Sequence, residues 1–326
     1  MPRSPMKLHQ LQYFVATAEH GSVRAAAHHL GISATAVSRA LTELEEGLKT
    51  LLIERQAQGI VLTCAGRSLL THARLVLNQL KQASREMEDL RAQAPVRLSI
   101  GVTPWFAQSI LPLLITRFLQ RRPDVELHIV EFLGMHYAPL RDGSIDLAIG
   151  LWAPDAGPAE LQAQPLFSYT SAVVCRMGHA RAHARSIYEL RGEEWMLSRD
   201  WREFGPPFSD IFEPAAERPP RIHIAHSALM TMTQVEMTDI LSIAPWPLIE
   251  SQWLRGRLQA MHLQELFPER LTCLLTRRNH VPTTASRDFI ECVYDSIAQA
   301  QQSDDPMLRR VLRTIEPQPA LQSRAA

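Results

Sequence analysis

Residues Ser22 to Glu45 carry two short helical patterns joined by Gly31-Ile32-Ser33, and no other segment constrains the fold so tightly. Ser22 can cap a helix bearing Ala25, Ala26 and Leu30, small or apolar residues that let a second helix cross close by. Gly31 supplies the bend, because a residue without Cβ enters positive φ cheaply. Ser33 is a second N-cap candidate, and Val37, Leu41, Leu44 and Leu48 then recur at spacings of four, three and four, which predicts one buried helical stripe. The opposite face shows Ala34, Thr35, Ser38, Arg39 and Thr42, short groups with one cation, and fits a DNA major groove. An ordinary two-helix hairpin in an all-α core is the competing reading of this segment alone.

The flanks favour the groove-reading shape. Leu8, Leu11, Phe14, Val15 and Ala18 predict an amphipathic first helix ended by Gly21. Leu52, Ile53, Ile60, Val61 and Leu62 bracket Arg55 and Gly59, the pattern of a two-stranded wing. Three helices and a wing make residues 1–62 a winged helix-turn-helix.

From Thr63, a cap candidate, the chain reads as one helix to about Gln93, closed by Pro95, so that 63–94 form a linker. Leu69, Ala73, Val76, Leu80, Ala83, Met87 and Leu90 fall on an a/d heptad seam. Such a helix spans about 45 Å, too long to be covered by so small a winged helix. It needs a partner: a second copy of the chain, giving a homodimer, or the surface of the following domain.

Beyond Pro95 short apolar runs alternate with helical stretches, the grammar of an α/β domain. Strands are expected at 96–102, 125–132, 147–151, 172–176, 195–198, 221–225, 241–244 and 271–277, with helices at 105–121 and 286–300. Ligands of open α/β sheets sit at the carboxyl ends of strands. The first such end is Thr103-Pro104-Trp105, where Thr103 and Pro104 suit a helix start whose N–H groups would attract an anion. Trp105 either offers a flat apolar surface to a ligand or simply packs. Other lining candidates follow the later strands: Leu133, Gly134, Trp152, Ser198, Phe204 and Pro245, with Arg199 beside Ser198. The loop Phe204 to Phe208 either rims a cleft or is a surface turn.

These residues carry a resemblance to LysR-type transcriptional regulators. In the first third it rests on Leu8, Leu11, Phe14, Val15, Gly21-Ser22, Ala25-Ala26, Leu30, Ser33, Ala36-Val37-Ser38, Leu44-Glu45, Leu48, Leu51, Arg55, Leu62-Thr63 and Ala65-Gly66. Further on it rests on Leu111-Pro112, Phe118, Pro123-Asp124-Val125, Leu140, Gly143 and Asp146-Leu147-Ala148-Ile149. The resemblance implies base-reading positions at Ala34, Thr35, Ser38 and Arg39, a phosphate contact at Ser22, and Arg55 in the wing. Ala34 stands where the family usually has Gln, and Lys49 where it usually has Gly after Leu48. It implies an effector domain over 95–300 with two lobes like those of a periplasmic solute-binding protein. Lobe I would hold 95–166 and 271–300 and lobe II 167–270, ahead of a mobile tail at 301–326. It also implies double-stranded promoter DNA, a small anionic and aromatic effector, RNA polymerase as a further contact, and assembly as a dimer or tetramer. The stretch Thr238-Asp239-Ile240-Leu241 resembles a subgroup that includes regulators of aromatic-compound and sugar catabolism.

Composition narrows the classes. The 326 residues have a formal net charge of +0, so any nucleic-acid affinity is local. The first 75 residues hold eight Lys and Arg against five Glu. Met1 to Met6 do not read as a signal peptide and no run of about twenty apolar residues follows, which predicts a soluble cytoplasmic protein. Four scattered cysteines, Cys64, Cys175, Cys273 and Cys292, predict reduced thiols. No phosphate-binding glycine loop, nucleophile elbow or carboxylate pair suggests an enzyme, and no cofactor is expected. His28-His29 read as a solvent-facing pair, and His179 with His183 as part of a surface loop.

Overall fold

A computed structural model describes residues 6–56, 59–92, 95–135, 137–155, 157–198, 204–206, 208–212, 221–278 and 281–318. The chain forms two compact units, Met1–Pro95 with Ala138–Ile145, and Val96–Tyr137 with Asp146–Ala326.

The first unit opens with α1 (Leu8–His20), α2 (Val23–Leu30) and α3 (Ala34–Leu48), followed by β1 (Ile53–Gln56), β2 (Gly59–Leu62) and the long α4 (Cys64–Ala92). Each helix start has a local cause. Ser22 accepts the Ala25 N–H and Ser33 the Ala36 N–H, while Thr63 Oγ1 accepts from Gly66. Gly21 and Gly31 end α1 and α2 in the left-handed region, at φ 70° and 68°. Leu11, Phe14, Val15, Ala27, Val37, Leu41 and Leu44 are buried in one core. Ala26 and Ala27, rather than the expected Ala25, face inward on α2. The wing pairs antiparallel, Ile53 opposite Leu62 and Arg55 opposite Ile60. Arg74 Nε and Nη2 on α4 both donate to Glu19 Oε1 on α1, at 3.1 and 2.9 Å, and hold the long helix to the unit.

The second unit is two-lobed. Its elements run β3 (Val96–Val102), α5 (Pro104–Ser109), α6 (Leu111–Arg121) and β4 (Val125–Glu131); α7 (Ala138–Arg141) then belongs to the first unit. Next come β5 (Leu147–Trp152), β6 (Leu161–Tyr169), β7 (Ser171–Arg176), β8 (Trp195–Leu197), β9 (Ile222–Ile224), α8 (Ala228–Met237) and β10 (Ser242–Pro245). The chain ends through α9 (Trp246–Ile249), β11 (Leu258–Ala260), β12 (Arg270–Arg277), α10 (Thr284–Gln301), α11 (Pro306–Leu312) and β13 (Ile315–Pro317). One lobe holds a mixed sheet in the order β13-β6-β12-β5-β3-β4, and the other holds β10-β7-β11 and β8-β9.

Several expectations change. The helix read over 105–121 divides at Ile110 into α5 and α6, because Pro112 has no N–H to give the preceding turn. Strand β6 was not expected, since Pro165 argues against an interior strand. The ladder tolerates it through a shift in register: Thr272 faces Phe167 while Cys273 already faces Pro165. The lobes therefore exchange after Tyr169 and before Arg270, and the first sheet includes residues assigned to lobe II.

The expected mobile tail is corrected by the structure up to residue 318. Asp305 caps α11, Leu308 and Val311 seat in the main core, and β13 pairs with β6. Burial of three apolar side chains and a covered sheet edge outweigh the polar composition of this stretch. Residues 319–326 lie outside the described part.

Candidate nucleic-acid interface and ligand pocket

On α3, Val37, Ala40, Leu41 and Leu44 are buried, which turns Ala34, Thr35, Arg39 and Thr42 outward. Ser38 is half-buried beside them. The face expected to read bases is therefore presented to solvent as one surface. Arg39 Nε donates to Glu43 Oε1 at 2.9 Å, and the Arg39 side chain is 83% exposed. This hydrogen bond holds the Glu43 carboxyl below its ordinary range. Ser33 Oγ and Thr35 Oγ1 lie 2.9 Å apart at the helix start. Ser22 is engaged as the cap of α2, so a phosphate would meet its hydroxyl together with the helix N–H groups.

The exit from α3 is built by two residues. Lys49 takes the left-handed conformation at φ 51°, and its N–H reaches the Glu45 and Glu46 carbonyls. Lys49 thus closes α3 in a conformation that glycine adopts most easily. Glu45 Oε1 accepts from the Leu52 and Ile53 N–H groups, at 2.7 and 3.1 Å, and fixes where the wing begins. Arg55 lies in β1 as expected, but its side chain is outside the described part.

The heptad seam of α4 divides between the winged-helix core and solvent. Ala73 is 1% exposed and packs in the core of the winged helix, where Leu69 also packs half-buried. Ala73 is therefore removed from the expected partner surface, because its own chain covers it. Val76, Leu80 and Met87 are 49, 46 and 56% exposed, and Ala83 is exposed too. The side chain of Leu90 lies outside the described part.

In the second unit, Thr103, Pro104 and Trp105 meet Leu133 and Gly134 from the loop after β4. Ser198, Phe204 and Pro245 close the opposite wall. These eight expected residues line one cavity of about 70 Å³. That volume holds about two waters, well under the several hundred Å³ of a typical ligand site. Tyr169, Thr231 and Met232 also line it; Tyr169 ends β6, a strand not expected from the sequence, and the other two lie on α8. Their signal is tertiary: folding brings β6 and α8 beside the start of α5, 66 residues or more before them in the chain.

Two features of this wall differ from expectation. Trp105 is fully buried, with its ring edge-on to Phe167 and Tyr169 at 5.8 and 5.9 Å, so it packs instead of presenting a free flat surface. The helix that starts there has six residues, and Thr103 Oγ1 does not cap it. The Thr103 N–H instead donates to the Ile149 carbonyl at 3.0 Å. None of the described lining residues is charged.

Trp152 is not brought to this cavity. It lines a separate cleft of about 390 Å³ with Met135, Arg270 and Gln318, and its ring packs against Tyr137 at 5.6 Å. A Cβ on Gly157 would fall 2.1 Å from the same ring. Phe204 is buried in an aromatic group with Phe208, centroids 5.3 Å apart, so the loop contributes a wall and not a surface turn. Arg199 lies outside the described residues. His179 is a buried structural residue: its ring joins the Asp239 carbonyl and the Arg181 N–H, each at 3.0 Å. No group of three or more metal-ligating side chains occurs among the described residues. Burial raises the Cys175 thiol to about 11 and the Cys273 thiol to about 12.

Comparison with known proteins gives this arrangement a family. Residues 8–67 match the bacterial regulatory helix-turn-helix of the lysR family, and residues 91–298 match the LysR substrate binding domain. The chain belongs to the LysR family. The transcriptional regulator TdcA of Escherichia coli is 26% identical over 192 residues, 59% of this chain and 62% of TdcA. The match thus spans somewhat under two thirds of that relative's length. The SDS degradation transcriptional activation protein of a Pseudomonas species is 28% identical over 265 residues, 78% of this chain and 84% of its own. The crystal structure of full-length CbnR complexed with its target DNA superposes with a TM-score of 0.56 at 22% identity, covering 89% of this chain and all of CbnR. That likeness shows a shared fold, as expected from the winged helix-turn-helix, long helix and two-lobed α/β unit. The family is one of regulators and not of enzymes. Among the described residues no helix is long and apolar enough to cross a membrane.

Proposed function

We propose that this LysR-family chain is a sequence-specific DNA-binding transcriptional regulator, acting in the cytoplasm, whose output responds to a small molecule. The outward face of α3 carries the proposal. Buried Val37, Leu41 and Leu44 fix its rotation, and Thr35, Ser38 and Arg39 then reach base edges in a major groove, with Arg55 and Ser22 on the backbone. Ala34 offers contact only to a thymine methyl, so more of the specificity comes from Arg39 and from DNA shape. Two copies joined along Val76, Leu80, Ala83, Met87 and Leu90 would present two such faces to a two-fold site. The effector is assigned to the cavity between Thr103 and Pro245, where binding would shift the balance between lobe arrangements. RNA polymerase is the partner that would turn that shift into altered transcription.

Footprinting of the full chain on its own promoter region tests the reading, with an interrupted palindrome expected under the protected bases. Arg39→Ala is expected to weaken the specific site by about 1 to 3 kcal/mol and random DNA by less. Equal loss on both would make Arg39 a phosphate contact.

A further inference from the structure

The segment Ala138–Ile145, which includes α7, lies in the chain between β4 and β5 but belongs to the first unit. It is a closed turn. The Asp142 N–H donates to the Ala138 carbonyl at 2.9 Å and the Ile145 N–H to the Pro139 carbonyl at 3.1 Å. Asp142 Oδ1 accepts from the Ser144 N–H and hydroxyl, at 2.9 and 2.6 Å, and Leu140 and Ile145 are buried. Closed by its own hydrogen bonds, the turn transmits a displacement of its ends instead of absorbing it.

One side of α4 seats this turn. Asn78 Nδ2 donates to the Asp142 carbonyl at 2.6 Å. Gly143, at φ 76°, lies so close that an added Cβ would fall 3.2 Å from Leu75 Cδ1 and 3.6 Å from Asn78 Cβ. At 3.6 residues per turn, Leu75 and Asn78 face away from Ala73 in the winged-helix core and from the exposed Val76 and Leu80. Both flanks of the turn lead to the effector cavity: Leu133 and Gly134 before it line that cavity, as does Leu151 of β5 after it. The Tyr137 hydroxyl donates to the Leu151 carbonyl at 3.1 Å. At the other end the Asp146 N–H donates to the Ser99 carbonyl, and Asp146 Oδ2 accepts from the Ser99 N–H, at 2.8 and 2.9 Å.

We infer that the Ala138–Ile145 turn is a coupling element that carries occupancy of the cavity to α4, with Asn78 as the positioning residue that receives it. The inference rests on the effector-pocket reading above and names the route by which that pocket acts on DNA binding. A ligand that shifts Leu133, Gly134 and Leu151 displaces both ends of the turn, and the turn bears on the helix that packs into the winged-helix core through Leu69 and Ala73.

Coupling is reciprocal, so DNA tests it without an effector. Hydrogen exchange of the full chain is followed by mass spectrometry with and without its footprinted promoter duplex, and fluorescence anisotropy on the same samples records binding. The duplex is expected to change exchange in 138–145 and in 132–134. Asn78→Ala should bind random duplex as the wild type does and lose the change at 132–134. Gly143→Ala, which pushes the turn off Leu75, should lose it too and keeps the test open if the first variant does not fold. Bound duplex with no change at 132–134 in the wild type overturns the inference and leaves the DNA-binding reading standing. A change that persists in both variants does the same. A chain that binds promoter and random duplex alike fails the functional reading itself, and the inference with it.

Discussion

The Arg39 guanidinium and the Glu43 carboxylate meet at 2.9 Å, one turn apart on the exposed face of α3. The cation best placed to read a base is therefore already engaged, and DNA must compete with Glu43 for it. The hydrogen bond from Arg39 depresses the Glu43 pKa, so the pair persists through neutral pH and is lost as pH falls through that lowered value.

Glu43→Gln should release Arg39 and remove a negative charge from the DNA-facing side. Binding to the specific site is expected to tighten more than binding to random duplex, because the freed guanidinium reads a base. Fluorescence anisotropy on both duplexes checks this, and an equal gain on the two would make Arg39 a phosphate contact.

Gly66 at the start of α4 has no room for a side chain, since a Cβ would fall 2.1 Å from the Leu52 carbonyl oxygen. Gly66→Ala should shift α4 off the wing and destabilise the first unit by about 1 to 3 kcal/mol, as overpacked sites do. Lys49→Gly should act in the opposite direction, by about 1 kcal/mol, because glycine adopts the φ of 51° without the Cβ clash. Thermal unfolding of both variants reads the two signs.

Leu80→Glu places a charge on the half-exposed α4 stripe without touching the winged-helix core. The variant is expected to sediment as a monomer and to lose binding to a two-fold site while retaining its helical circular dichroism. A dimer of unchanged mass would locate the interface elsewhere.

The cysteines differ in reach. Cys64 is exposed, whereas Cys175, Cys273 and Cys292 are buried, and burial raises the thiol pKa of each of these three. Native alkylation at pH 8 followed by mass spectrometry should label Cys64 within minutes and the other three only after denaturation. Rapid labelling of Cys273 would show that the central sheet opens.

Much of the first unit was legible because its signals are local. Caps at Ser22, Ser33 and Thr63 act within three residues, and the Val37, Leu41 and Leu44 stripe repeats within one helix. Eight of the nine residues expected to line a pocket do border one cavity, since strand ends in an α/β sheet converge. Trp152, the last residue of β5, lines the separate cleft instead, with Gly157 against its ring. Ala73 failed for a similar reason: a heptad position states that a residue is covered, not by which neighbour.

The sequence by itself determined where helices start and stop and which side of α3 turns outward, because hydrogen bonds and side-chain periodicity over four to seven residues decide both. Only the tertiary structure decided that β13 completes the sheet, that α4 divides its seam between core and solvent, and that the Thr103 cavity has an uncharged described wall. Those outcomes depend on which distant side chains pack together, and packing of residues a hundred or more positions apart leaves no local signature in the chain.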